Sequence, residues 1–239
     1  MKTILPIFMG WDPRETAAYD VAYWSIKRRT SFDVIISPLV LSNLESIIHR
    51  PIERRDGKLW CPISNAPMAT EFAISRFCVP FIQQSGWALF CDSDVLCMED
   101  ISKLFSLADN QYAVMVVKHK HEPTSLTKMD GQIQTFYKRK NWSSVVLWNC
   151  NHPSNKKFTI QDLNTRPGRD LHAFYWLEDN EIGELPNKWN HLVSVNPTKN
   201  IQEGIYHYTL GGPWFEGWKS VEEDELWSEE YSFIANNKY

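Results

Sequence analysis

The stretch Trp87-Ala88-Leu89-Phe90-Cys91-Asp92-Ser93-Asp94-Val95-Leu96 decides how this chain is read. Apolar residues follow Gly86 without a polar alternate, the pattern of a short strand buried on both faces, and such strands belong to sheets covered by helices. The strand ends on two carboxylates separated by one serine. In extended backbone residues i and i+2 project to the same side, so Asp92 and Asp94 face one point beyond the carboxyl end of the strand. That edge is where open α/β sheets bind ligands. Like charges this close require hydrogen bonds, a shared proton or a cation, and hard oxygen donors favour Mg2+ or Mn2+.

Upstream, residues 3–10 are an apolar run ending in Gly10, and Asp12, Pro13 and Glu15 occupy the N-cap, N1 and N3 places of a helix that finishes on Lys27-Arg28-Arg29. Asp33 to Leu41 reads as a second strand, and Ser42 with Glu45 as another capping box. Residues 49–68, with Pro51, Gly57, Pro62 and Pro67, read as a long irregular connection, and residues 69–85 as a helix perturbed at Pro80. Downstream come a brief helix around Ser102–Leu107 and apolar strands at Tyr112–Val117 and Ser144–Trp148. This alternation predicts an α/β fold with a mainly parallel central sheet flanked by helices. The acidic segment 219–235, which also holds Leu226, Trp227 and Phe233, reads as a solvated amphipathic helix.

Composition narrows the function classes. A chain of 239 residues with 43% hydrophobic and 23% charged residues suits one globular domain. Its formal charge of −4 gives no footprint for nucleic acid or an anionic membrane. No run reaches the roughly 18 apolar residues of a transmembrane span, and the N-terminal apolar stretch is too short for a signal peptide, so the expectation is a soluble, cytoplasmic protein. Five cysteines without a C-x-x-C pair read as reduced core residues.

A second candidate lies far downstream in Ile205-Tyr206-His207-Tyr208-Thr209-Leu210-Gly211-Gly212-Pro213-Trp214. His207 follows a short apolar segment and precedes a Gly-Gly turn that lets backbone approach a ligand. As a third ligand beside Asp92 and Asp94, an imidazole shifts the preference from Mg2+ toward Mn2+.

Taken together, Gly10-Trp11-Asp12-Pro13-Arg14-Glu15, Asp92-Ser93-Asp94, Leu185-Pro186-x-x-Trp189-Asn190 and His207 with Gly211-Gly212-Pro213-Trp214 resemble the GT-A glycosyltransferases, and within them glycosyltransferase family 8, over roughly residues 3–215. The resemblance implies a single GT-A domain over 1–239, with a nucleotide-binding half (1–118), a sugar and acceptor half (119–215) and a C-terminal helical tail (216–239). It implies retaining transfer from a nucleotide sugar, usually UDP-linked, to a carbohydrate or other hydroxyl acceptor, with Asp92, Asp94 and His207 holding Mn2+, or Mg2+ in its place. Phe8, Gly10, Asp12 and Tyr19 sit where the family encloses nucleobase and ribose. Arg76 matches a basic position that contacts phosphate, and Ser93 a ribose contact. Gly211 and Gly212 resemble the turn that brings backbone amides to the diphosphate.

On the sugar side, the segment from Ser144 to Asn149 resembles the strand lining the sugar pocket, with Asn149 as a catalytic candidate, and Trp214 is expected near the site. The chain departs from the family in two places. Gly212 stands where a lysine precedes the Pro-Trp pair, which leaves Lys128 or Lys140 to supply that charge. In place of an Asp-Gln pair before the Leu-Pro segment, the best match is Asp179, assigned to positioning the sugar or acceptor. Two other readings compete: a nucleotidyltransferase, against which the Gly-poor segment Phe8-Met9-Gly10-Trp11-Asp12 speaks, and a noncatalytic nucleotide-sugar-binding module. A glycoside hydrolase fits poorly, because Asp92 and Asp94 are too close together to flank a glycosidic bond.

Overall fold

The protein is described from a computed structural model over residues 4–119, 139–196, 203–221 and 223–237. In chain order the first half forms β1 (Ile4–Gly10), α1 (Thr16–Arg29), β2 (Asp33–Leu39), β3 (Glu53–Arg55), β4 (Lys58–Cys61), β5 (Ala66–Met68), α2 (Phe72–Ser75), α3 (Val79–Gln83), β6 (Trp87–Cys91), β7 (Val95–Cys97), α4 (Ser102–Phe105) and β8 (Val114–Val116). The second half forms β9 (Val145–Asn149), α5 (Pro153–Lys157), α6 (Ile160–Thr165), α7 (Gly168–His172), β10 (Ile182–Glu184), β11 (His191–Leu192), β12 (Ile205–His207) and α8 (Asp224–Asn237).

Six strands make the central sheet in the order β10-β8-β9-β6-β1-β2. The β1–β2, β1–β6 and β8–β10 pairings are parallel, as expected, while β9 runs against both β6 and β8. Side chains alternate between two buried layers: Ile7, Met9, Leu89, Cys91 and Leu147 lie in one core cluster, and Phe8, Ala88, Phe90, Val146 and Trp148 in the other. Burial on both faces explains why β6 shows no polar alternate in the sequence. Each such large apolar side chain removed from water stabilises the fold by about 1.5–3 kcal/mol before entropy is counted. All five cysteines are free and buried in these layers. Among the described residues no helix is long and apolar enough to cross a membrane.

Four local expectations are corrected. Residues 49–68 are not an irregular connection, because β3, β4 and β5 form an antiparallel meander within them. Asp56 and Gly57 both have positive φ, as a two-residue type I′ hairpin requires, and Pro67 sits on the edge strand β5, where its missing N–H costs little. The helix expected over 69–85 is broken by a 3-10 turn at Arg76–Cys78, since Pro80 has no N–H and its ring would meet the carbonyl of residue 76 in an uninterrupted helix. Helix α1 begins at Thr16, because the Asp12 carboxylate serves a turn by accepting from the amides of Arg14 and Glu71 at 2.9 and 3.0 Å. Ser42 and Glu45 make no capping box, and Leu41–Leu44 is a 3-10 turn without a side-chain cap.

The C-terminal helix also differs from the solvated helix expected. Glu230 is buried and accepts from Arg28 Nε and Arg29 Nη2, both at 2.6 Å. Trp227 and Ile234 join Val21, Leu96, Val193, Tyr206 and Tyr208 in a third core cluster. Helix α8 therefore closes a smaller sheet of order β11-β12-β7, packed beside α1.

Candidate metal and substrate site

The six-stranded sheet and the smaller sheet of β11, β12 and β7 place the chemistry. Strand β6 delivers Asp92 to the carboxyl edge of the large sheet, and the chain turns at once into β7. Antiparallel pairing of β7 with β12 sets His207 opposite Val95, and the Tyr208 amide donates to the Asp94 carbonyl at 2.9 Å. The imidazole therefore lands beside both carboxylates, its Nε2 at 3.4 Å from Asp94 Oδ1 and 3.9 Å from Asp92 Oδ2. One donor atom from each of the three residues lies within 4.8 Å of the others. His207 is 2% exposed and Asp92 7%, so little water shields these charges.

Asp92 is held from two directions. Its amide donates to the Ser144 carbonyl at 2.9 Å, and Arg76 Nη1 lies 3.0 Å from its Oδ1. The same guanidinium nitrogen donates to the Ser143 carbonyl at 2.9 Å, and the group stacks on Phe72 and Phe90. Burial pushes the Asp92 carboxyl up most strongly, Arg76 pulls it back, Asp94 raises it again, and the balance is about 6. Glu15 adds a further acid. It is 7% exposed, it accepts from Ser93 Oγ at 3.4 Å, and burial followed by the Asp94 charge pushes its carboxyl to about 8.

These residues fit a divalent cation. The Oδ1 atoms of Asp92 and Asp94 are both buried and accept no hydrogen bond. An imidazole nitrogen facing two carboxylates is a donor set for Mn2+, with Mg2+ second. Asp92 Oδ1 has the Arg76 guanidinium at 3.0 Å and Asp94 Oδ1 the His207 imidazole at 3.4 Å, and a cation between the two buried carboxylates would offset their mutual repulsion.

The raised Glu15 carboxyl sets a pH dependence. The ordinary value is 4.5 and the folded value about 8, so between these limits the folded chain holds a proton that the unfolded chain has released. Stability in chelator is then fullest below the lower value and falls as pH rises through the upper one. Glu15→Gln should flatten that slope and raise stability at pH 7 by on the order of 2 kcal/mol. Urea melts in chelator at pH 5 and pH 7.5 check this, and equal slopes for wild type and variant would refute it.

The expected nucleotide and sugar residues divide. Gly10 closes β1 beneath the Phe72 ring, which a Cβ there would meet at 2.5 Å. Tyr19 is half-buried on α1, stacked on Tyr23. Ser144 and Lys140 lie in and before the turn that enters β9, whose first residue is paired with Cys91 and so stands at the Asp92 edge. Phe8, by contrast, is a core residue. The Ser93 hydroxyl is given to Glu15, and the Arg76 guanidinium to Asp92 and Ser143, so Arg76 is a group that holds Asp92 in place.

Several assignments are corrected. Gly211 donates its amide to the Tyr208 carbonyl at 2.8 Å, and its φ of +111° is the reason for glycine there. A Cβ on Gly212 would meet the Trp214 ring at 2.1 Å, so packing alone already calls for glycine there. Trp214 is half-buried and packs against Tyr208 and Trp227 beside the third core cluster. Asn149 lies at the wrong end of its strand: β9 is reversed, so Asn149 pairs with Trp87, at the edge opposite Asp92, and donates to the Tyr112 carbonyl. Asp179 precedes β10 at that same far edge and pairs with Arg139. Lys128 lies outside the described residues.

Sequence reasoning missed three groups. Glu15 was read as a helix position, although its spacing from Gly10 places it near the strand end. Asn190 was quoted within a motif and given no role, yet it bonds His207 Nδ1 at 3.0 Å. His172 on α7 bonds Ser143 Oγ at 2.7 Å, beside the carbonyl that Arg76 grips, and no local pattern announces it.

Comparison with known proteins adds the following. No family model matches the chain. It is 45% identical over 231 residues to Protein CDI of Arabidopsis thaliana, covering 94% of this chain and 85% of that protein. Among solved structures it is similar to the bifunctional glycosyltransferase WbbM, at a TM-score of 0.62 and 11% identity, over 97% of this chain and 50% of that one. The chain thus spans half the length of WbbM. It is also similar to the galactosyltransferase LgtC solved with donor and acceptor sugar analogs, at a TM-score of 0.56 and 12% identity, over 96% of each chain. The fold is that of the GT-A glycosyltransferases.

Proposed function

Because the chain belongs to the family of Protein CDI and has the GT-A glycosyltransferase fold, we propose that it moves a sugar from a nucleotide sugar, UDP-linked, to an acceptor hydroxyl with retention of anomeric configuration, as glycosyltransferase family 8 does. The observation that carries this reading is the convergence of Asp92, Asp94 and His207 at the carboxyl edge of the sheet. In this reading these three residues hold Mn2+, which when bound supplies a Lewis acid for the charge that gathers on the departing diphosphate.

The remaining work falls to the chain's own side chains. Arg76 and the Ser144 carbonyl fix Asp92, so the carboxylate is in place before substrate arrives. Lys140, brought to the same edge by the turn before β9, is the cation assigned to the diphosphate in place of the absent lysine before Pro213. Glu15 and Ser93 form the polar wall between β1 and the two aspartates, where ribose hydroxyls are received.

The test is nucleotide release from a panel of UDP-sugars with Mn2+ and with chelator, with GDP-sugars and nucleoside triphosphates as further arms. Metal-dependent UDP release from one donor supports the proposal. Pyrophosphate release from a triphosphate, or no binding of any donor, would overturn it.

A further inference from the structure

His207 is buried, and its Nδ1 lies 3.0 Å from Asn190 Oδ1, in a residue with no exposed surface. Asn190 closes the 3-10 turn Asn187–Asn190 that feeds β11, and β11 runs parallel to β12, so the amide is delivered alongside the imidazole. Its Nδ2 lies 3.0 Å from Ser144 Oγ and 3.4 Å from the Asn141 carbonyl. Ser144 Oγ in turn donates to that same carbonyl at 2.9 Å. The Asn141 carbonyl only accepts, and Ser144 Oγ already donates to it. A flipped amide would set Asn190 Oδ1 against that carbonyl and would turn the Ser144 hydroxyl away from it toward Oδ1. The arrangement that keeps every one of these contacts between a donor and an acceptor faces Oδ1 to His207 and puts the proton on His207 Nδ1.

We propose that Asn190 is a positioning residue that fixes the Nδ1–H tautomer of His207 and thereby presents Nε2 to the cation shared with Asp92 and Asp94. Outer partners of this kind orient a ligating imidazole and raise its basicity. The anchor of the relay is the left-handed residue Asn141, φ +63°, in the turn that also carries Lys140 and Ser144. The metal ligand and the turn entering β9 are thus held by one hydrogen-bond chain, Asn141 to Ser144 to Asn190 to His207. This inference rests on the metal reading above for its purpose, although the tautomer itself does not.

Two measurements test it, one of them on the metal-free protein. Long-range 15N correlation spectra of the protein in chelator, at a pH where His207 is neutral and with its signals assigned by their loss in His207→Gln, should show the Nδ1–H form. Asn190→Leu should revert to Nε2–H, whereas Asn190→Asp, which still accepts from Nδ1–H while its second oxygen takes the turned Ser144 hydroxyl, should not. Calorimetric titration with Mn2+ alone should give about 10–100-fold weaker binding for Asn190→Leu, about 3-fold or more weaker for Ser144→Ala, and near wild-type affinity for Asn190→Asp. Should Asn190→Leu fail to fold, Ser144→Ala and Asn190→Asp carry the decision. Wild-type affinity in Ser144→Ala together with an Nε2–H signal in the unmodified protein would overturn the proposal. Absence of Mn2+ binding by the wild type would overturn the metal reading, and the tautomer spectra would still decide whether Asn190 orients His207.

Discussion

Asp94→Ala is expected to lower metal-dependent UDP release by on the order of 10^3-fold while leaving the fold intact. The side chain is 18% exposed and its Oδ1 accepts no hydrogen bond, so its removal costs only the 3.4 Å contact with His207 Nε2. It also removes the charge that pushes on Asp92 and Glu15. In chelator the variant should therefore melt at or slightly above the temperature of the wild type. The difference appears on adding Mn2+: an ion at about 100 times its dissociation constant stabilises the wild type by about 2.7 kcal/mol, and the variant should lose most of that gain. Thermal melts with and without Mn2+, run beside the release assay, separate loss of the ion from loss of structure. Equal Mn2+ stabilisation in both proteins would remove Asp94 from the ligand set.

Arg76→Met is expected to be the most damaging single change to stability, at about 3–5 kcal/mol near neutral pH, because it strips the cation from a buried carboxylate. Arg76 and Asp92 side chains are 8% and 10% exposed, and the Ser143 carbonyl loses its donor as well. Removing the cation raises the Asp92 carboxyl further, so the penalty should shrink as pH falls and Asp92 takes up a proton. The double variant Arg76→Met/Asp92→Asn should recover a large part of the loss, since no uncompensated charge is left. Urea denaturation of the four proteins in the cycle measures the coupling, and additive effects would contradict an ion pair as the source of the cost.

Much of this architecture can be read along the chain, and the reasons are local. Strand β6 and its two terminal aspartates are legible because full burial and an i, i+2 carboxylate pair leave unambiguous marks over eight residues, 87–94. The meander at 53–68 is not, since its strands are three or four residues long and carry proline and charge, although Asp56-Gly57 is a hairpin signal. Asn149 is singled out by resemblance to the family's sugar-pocket segment, a likeness that carries no strand direction, and the antiparallel pairing of Trp87 with Asn149 puts it at the edge away from Asp92. Gly211 looks like part of a ligand-binding turn in sequence, whereas in three dimensions its amide is given to Tyr208 and its φ calls for glycine. Networks such as Asn190 to His207 join residues whose relation appears only once β11 lies beside β12.

The pairing of β7 with β12 has a consequence for the order of events during synthesis. Asp92 and Asp94 leave the ribosome long before His207, and the hydrogen-bonding edge of β7 waits for a partner supplied more than a hundred residues later. A nascent chain ending ahead of Ile205 has both carboxylates, no His207 and an unpaired strand edge. On the proposed function, loading of an ion belongs to the last stage of chain growth, and premature termination yields a product that lacks the third ligand and keeps a sticky strand edge.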